Sequence, residues 1–350
     1  MGTKQFDYAV YVGRFQPFHN GHLAVLKKAL EVAETVVVVL GSARHARNIR
    51  NPFTAREREE MIAEVVEPVV EWEHRVVVRQ VRDHLYSNAM WVTEVQRVVQ
   101  EVTAGHESAH PKITLIGHQK DRTSGYLDDF PQWTRTHVPL HGNIHATDVR
   151  EGFLMKLAVW TDDVPKEVVN YLTTWLQKED WYRALQEELQ FITHYKSDWG
   201  DCPFPVQFNC TDAVVYKSGH ILLIQRGGHP GKGQWALPGG FISQYETAQH
   251  AALRELKEET GILVPESELL AQIKSETVFD HPDRSLRGRT FSHAFYFDLG
   301  AGPLPQIRGG DDAVRAKWFS LVEIYNMEDH MFEDHIAIIE HFLLANGSGR

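Results

Sequence analysis

Short apolar runs alternate with amphipathic stretches through the first third of the chain. Asp7 to Val12 reads as a buried strand, Leu23 to Ala33 places its apolar residues at helical spacing, and Thr35 to Leu40 is a β-branched run. The pattern continues with a helix at Ala55 to Val66, a strand at Arg75 to Val81, a helix at Ala89 to Val102 and a strand at Lys112 to Ile116. Such alternation predicts a parallel sheet with helices on both faces, because a parallel connection needs a helix-sized crossover. From Pro165 to about Lys196 the chain turns into a long helical stretch rich in Trp, Leu, Gln and Glu, with Asp162 or Asp163 available as a cap. Two prolines between Trp199 and Pro205 break it. Strands then follow at Cys210 to Tyr216 and Ile221 to Gln225, around the turn Lys217-Ser-Gly-His, and a helix at Gln249 to Thr260. The expected organisation is an α/β chain with a first domain over 1–160, a helical closing segment over 161–200 and a second domain over 201–346.

Composition narrows the function classes. A chain of 350 residues is about twice the usual domain length, in keeping with two domains. No apolar run approaches the roughly 20 residues that span a bilayer, so no membrane role is expected. A net charge of -11 argues against a general affinity for nucleic acid and makes any phosphate binding local. Cys202 and Cys210 are too few for a disulfide framework and are read as reduced thiols. The first residues lack a basic region followed by an apolar one, so the expected location is the cytoplasm.

Candidate chemistry gathers in two places. In the second half, Glu255, Glu258 and Glu259 stand at i, i+3 and i+4 of the Gln249 to Thr260 helix, so their like charges share one face. A solvated face would relieve this with lysines at matching spacing; a hard cation such as Mg2+ relieves it through oxygen ligands. Upstream, Leu237-Pro-Gly-Gly240 can approach a ligand closely or offer a carbonyl, Arg254 pairs with Glu258, and Gly261 ends the helix. The segment fits Gly-x5-Glu-x7-Arg-Glu-Leu-x-Glu-Glu-x-Gly-Ile from Gly240 to Ile262 and so resembles the box of the Nudix hydrolases. That resemblance implies an α/β/α sandwich acting on nucleoside diphosphates linked to another moiety. It further implies that Glu255, Glu258, Glu259 and the Gly240 carbonyl hold Mg2+ or Mn2+, with Glu246 and Arg254 in support. The water-activating group stays open between a box glutamate and a loop carboxylate such as Asp280, Asp283, Asp311 or Asp312. Arg226, Lys232 and Arg289 are the candidate partners for diphosphate charge, and Phe204 or Trp235 for stacking on adenine, each weighed against a surface or core role.

In the first half, the strand to Val12 runs into Gly13-Arg14-Phe-Gln-Pro-Phe-His19-Asn-Gly-His22 and then into a helix, whose N-terminus suits an anion. This resembles the phosphate-binding motif of the nucleotidyltransferase superfamily, a Rossmann-like fold, with Thr147 and Arg150 in its second element. Together with Asn51 to Arg58, Tyr86 to Trp91 and Gly117 to Asp121 the pattern is similar to nicotinamide mononucleotide adenylyltransferases of the archaeal type. There the resemblance implies catalytic roles for His19, His22 and Arg150, contacts from Gly13 and Arg14, an amide contact from Asn88, ring stacking on Trp91, and Arg56 or Arg58 near phosphate, with ATP as co-substrate. Both motifs in this order resemble the bifunctional nicotinamide mononucleotide adenylyltransferase and ADP-ribose pyrophosphatase family, which implies ATP, nicotinamide mononucleotide and ADP-ribose as substrates. The alternatives are another acceptor and another dinucleotide, or a second domain that senses ADP-ribose and regulates the first. Oligomeric state, including a homo-oligomer, is left open.

Overall fold

The apolar runs of the first half pair as parallel strands, and the segments between them fold into the helices that parallel connections require. The computed structural model describes residues 4–72, 74–118, 122–142, 144–174, 179–308 and 313–347. The chain divides into two compact units, Met1–Gln186 and Glu187–Arg350. In the first unit β1 (Phe6–Gly13), β2 (Ala33–Leu40), β3 (Val76–Gln80), β4 (Ile113–Gly117) and β5 (Thr134–His137) form one sheet in the order β3-β2-β1-β4-β5. Every pairing in it is parallel. Helices α1 (Asn20–Val32), α2 (Ala55–Val66) and α3 (Asn88–Thr103) connect the first four strands. Val10, Val12, Val37, Val39 and Leu115 pack with Val95, Val98 and Val99 of α3. The alternate residues Ala9, Tyr11, Val36 and Val38 are also buried, which is why these strands read as unbroken apolar runs.

Helix α1 starts earlier than its apolar periodicity indicated, at Asn20, because His19 caps it. Strand β5 had no apolar run to announce it: Thr134-Arg-Thr-His is an edge strand that is mostly exposed. Helix α4 (Ala146–Leu154) follows, and the long helical stretch appears as α5 (Lys166–Thr174) and α6 (Asp180–Ser197). The division between units falls inside α6, ahead of the proline-containing break.

The second unit is built on β6 (Gln207–Lys217), β7 (His220–Arg226), β8 (Trp235–Ala236), β9 (Gly239–Phe241), α7 (Ala248–Thr260), α8 (Glu266–Ala271), β10 (Ile273–Phe279), β11 (Arg289–Asp298), β12 (Ala313–Ser320), α9 (Leu321–Asn326) and α10 (His335–Gly347). Its sheet runs β10-β11-β6-β7-β12, with β8 on β7 and β9 on β6; β11 and β6 are parallel and the rest antiparallel. Period-two alternation sends Val214, Ile221 and Leu223 toward Ile338, Ile339 and Phe342 of α10. Their neighbours Ala213, Val215 and Leu222 pack on Ala252, Leu253 and Leu256 of α7. The sheet is thus covered on both faces, the expected α/β/α sandwich. No helix among the described residues is long and apolar enough to cross a membrane.

Candidate active sites

Strand order in the first sheet reverses at β1: β2 and β3 lie on one side and β4 and β5 on the other. A crevice therefore opens at the C-terminal ends of β1 and β4, the usual ligand position in such sheets. Gly13 closes β1 there, and a Cβ at this position would lie 2.9 Å from Phe15 Cζ, so the loop packs too tightly for a side chain. At the head of α1 two histidines cap one another. His22 N–H donates to His19 Nδ1 at 3.3 Å, His19 N–H donates to His22 Nδ1 at 3.2 Å, and the rings stack 3.6 Å apart. Since each Nδ1 accepts, the ring proton of each histidine sits on Nε2, at a helix N-terminus that suits an anion. Burial, then the nearby His19 and His118, hold the His22 pKa well below the ordinary histidine value, so this imidazole is neutral at pH 7. A Cβ on Gly21 would come within 3.0 Å of His19 Cε1, which explains the glycine between them.

Arg150 is 7 % exposed; its Nη1 donates to the Gln16 carbonyl at 3.0 Å and its Nη2 to Thr147 Oγ1 at 3.0 Å. Burial and the charges of Arg14 and Arg50 lower its pKa to about 10, so three cations converge near the histidine loop. Of the two arginines expected near phosphate, Arg58 is 0 % exposed and donates to the carbonyls of Arg14, Gly41, Ser42 and Thr54. It is a buried brace with its donors already engaged. Arg56 is exposed and pairs with Glu60 at 2.8 Å. Asn88 begins α3 and is exposed, whereas Trp91 packs edge-on against Tyr126 and Phe130 beside the core. Within Gly117 to Asp121, residues 119–121 lie outside the described residues.

In the second unit, β9 pairs with β6 so closely that a Cβ on Gly239 would lie 2.1 Å from the Thr211 carbonyl oxygen. A Cβ on Gly240 would lie 2.3 Å from Glu255 Oε1, which puts that carboxylate against the Gly240 backbone. Helix α7 is capped by Thr247, whose side chain accepts from His250 N–H, and ends at Gly261 with φ 52°. From it Arg254 donates to Glu246 at 2.7 Å, Glu255 at 2.8 Å and Glu258 at 3.0 Å. Glu259 is 6 % exposed and accepts the Gly239 N–H at 2.9 Å. Burial, with the like charges of Glu255 and Asp212 and against the Gly239 N–H and Arg226, raises its pKa to about 8. No group of three His, Cys, Asp or Glu among the described residues stands arranged to hold a metal ion as it is, since Arg254 draws Glu255 and Glu258 to itself. The donor chemistry nevertheless fits a hard divalent cation: every candidate ligand is oxygen, and the burial that raises the Glu259 pKa, with the repulsion from Glu255 added to it, is what such an ion offsets.

A pocket borders the two glycines and takes in Arg226, Arg284, Arg287, Glu333 and His335. Of these, the sequence marks Arg226 as a cation for substrate and Arg287 as the first residue of a segment, Arg287 to Tyr296, read for substrate choice; Arg284 and Glu333 lie on loops and His335 begins α10, and no motif marks them. Arg284 forms a buried bidentate pair with Asp334 at 2.9 and 2.8 Å, and His335 Nδ1 accepts the Leu237 N–H at 2.8 Å. Arg289 does not line this pocket; it pairs with Asp280 at 3.4 Å and lies over the Phe291 ring. Asp280 and Asp283 are likewise outside its lining, and Asp311 and Asp312 lie outside the described residues. Trp235 packs edge-on to Phe319 against the core, while Phe204 is 79 % exposed.

Comparison with known proteins assigns each unit. The cytidylyltransferase-like family matches residues 10–152 and the NUDIX domain family residues 208–342. A nicotinamide/nicotinic acid mononucleotide adenylyltransferase of Acinetobacter baylyi is 35% identical over 53% of this chain and 94% of its own. An ADP-ribose pyrophosphatase of Methanocaldococcus jannaschii is 38% identical over 38% of this chain and 70% of its own. The crystal structure of a bifunctional NMN adenylyltransferase/ADP ribose pyrophosphatase from Francisella tularensis, complexed with AMP and a manganese ion, superposes with a TM-score of 0.88 at 36% identity, covering 97% of this chain and 99% of that one. With both halves matched in the same order, the chain belongs to the bifunctional NMN adenylyltransferase/ADP-ribose pyrophosphatase family, in which a nucleotidyltransferase unit precedes a Nudix unit.

Proposed function

We propose that the first unit transfers AMP from ATP to nicotinamide mononucleotide, giving NAD and pyrophosphate, and that the second hydrolyses ADP-ribose to AMP and ribose 5-phosphate. One observation carries this reading: a helix N-terminus capped by two imidazoles and an all-oxygen carboxylate cluster against paired glycines occur in one chain.

In the first unit the mononucleotide phosphate attacks the α-phosphorus of ATP in line, and pyrophosphate leaves without a covalent intermediate. His19 and His22 present Nε2–H to the transferring and leaving phosphates, Arg14 and Arg150 neutralise charge, and Thr147 fixes Arg150. Gly13 lets the backbone approach, Asn88 takes the amide, and Trp91 offers its ring. Mg2+, or Mn2+, supplies further charge neutralisation when bound.

In the second unit Glu255, Glu258, Glu259 and the Gly240 carbonyl would hold the divalent cation, which when bound polarises the diphosphate and acidifies water. Arg254 and Glu246 orient the carboxylates, the Gly239 N–H fixes Glu259, and Arg226 and Arg289 are assigned to diphosphate charge. Domain limits of 1–160 and 201–346, with a helical segment between, are supported by the two family matches. We also place the protein in the cytoplasm, acting on small nucleotides rather than nucleic acid. Purified protein given ATP, Mg2+ and either nicotinamide mononucleotide or pantetheine phosphate tests the first assignment, and ADP-ribose with Mn2+ the second. NAD and AMP are the expected products; failure to form NAD overturns the acceptor.

A further inference from the structure

The pocket beside the box glycines holds two arginines that are not neutralised by an ion pair among the described residues. Arg226 lies over the Phe332 ring at 4.0 Å and Arg287 over the Phe241 ring at 5.0 Å. Arg226 donates from Nε to the Pro230 carbonyl at 2.9 Å, while Arg287 Nε is buried without any hydrogen-bond partner. The two cations sense each other: burial first, then the charge of Arg287, lowers the Arg226 pKa. The nearby carboxyls are engaged elsewhere. Asp212 is bonded by Ser292, Glu333 takes the Leu286 N–H and Glu259 takes the Gly239 N–H, and no ion pair joins any of the three to Arg226 or Arg287 among the described residues. Arg284, by contrast, is fully paired with Asp334. A buried, unsatisfied N–H beside a second guanidinium is unfavourable unless an anion completes the set, and guanidinium forks match phosphate oxygens in number and plane.

We propose that Arg226 and Arg287 form an anion subsite that grips a phosphate group of the substrate independently of the divalent cation. The rings of Phe241 and Phe332 hold the two forks in place, and Gly239 and Gly240, in the same lining, bring the subsite next to the carboxylate cluster. This deepens the reading of ADP-ribose as the substrate of the second unit and rests on it.

Calorimetric titration of the full-length protein with ADP-ribose in excess EDTA tests the proposal. Wild type is expected to bind, Arg287→Met to bind about tenfold more weakly or worse, and Arg287→Lys to fall between, because a single ammonium replaces a fork. Thermal melting checks that each variant is folded; should Arg287→Met fail to fold, Arg226→Met gives the same reading. Superimposable isotherms for wild type and a folded Arg287→Met overturn the subsite, as does absence of metal-free binding to wild type. If wild type does not hydrolyse ADP-ribose with Mn2+ yet its metal-free binding depends on Arg287, the hydrolase assignment fails and the anion subsite stands.

Discussion

A hydroxyl and a carboxylate usually share the capping of a helix start, and their replacement by His19 and His22 changes what the end of α1 can do. The oxygen pair would satisfy backbone donors and present negative charge; two imidazoles satisfy the same donors through Nδ1 and keep a proton on Nε2. Gly240 is a comparable single-residue constraint. In Gly240→Ala the new methyl group must displace Glu255, whose Oε1 would be 2.3 Å away, so ADP-ribose hydrolysis should fall by about two orders of magnitude. Steady-state rates of the folded variant check this, and a loss under threefold would contradict the placement of Glu255. His335 sets a pH dependence. Burial, only partly opposed by Asp334, holds its pKa down to about 3 while Nδ1 takes the Leu237 N–H. Between its unfolded value of about 6.5 and the folded value the unfolded chain binds a proton that the folded chain refuses, so its contribution to stability shrinks as pH falls through that window. Glu259, Asp212 and Glu333, with raised pKa values, titrate with the opposite sign, so the comparison must be differential. From pH 7 to pH 5 wild type should lose about 2 kcal/mol more than His335→Gln in urea unfolding; parallel pH profiles would show His335 to be uninvolved.

Elements are joined at the site by side chains whose role depends on where an element ends. Arg58 sits on the first turn of α2, and its guanidinium gathers the carbonyls of Arg14, just after β1, and of Gly41 and Ser42, just after β2. The Asn51 to Arg58 motif drew attention to this arginine as a phosphate partner; burial makes it the brace of the crevice instead. Arg58→Met leaves those acceptors dry and should destabilise the protein by about 3–5 kcal/mol, with Arg58→Lys recovering only part, as measured by denaturant unfolding. The long elements were legible because both sides of each strand or one side of each helix are buried, as in the valine runs of β1 and β2 and the α7 helix. Strand β5 was not, because an exposed edge strand needs no apolar pattern, and α1 was placed late because its cap is an imidazole rather than a serine or aspartate.

For the whole molecule, each signature motif falls in a different compact unit, His19 and His22 in one and the box glutamates in the other. Two activities in one chain should then separate by single substitutions. Glu259→Gln is expected to lower ADP-ribose hydrolysis about 100- to 1000-fold and spare NAD formation, and His22→Ala to do the reverse. Assays of both products on each purified variant decide it: joint loss without unfolding would refute independent sites. The sequence alone determined the alternation of strands and helices, the glycine and histidine spacing before α1, and the carboxylate spacing on α7, because these are short-range patterns set by helical and strand periods. Only the tertiary structure decided that Arg58 is a brace, that Arg284 belongs to Asp334, and that Arg287 stands beside Arg226 and the box glycines. Those residues come from helix starts, strand ends and loops brought together from distant parts of the chain by the fold, and no local period records which distant charge a buried charge will meet.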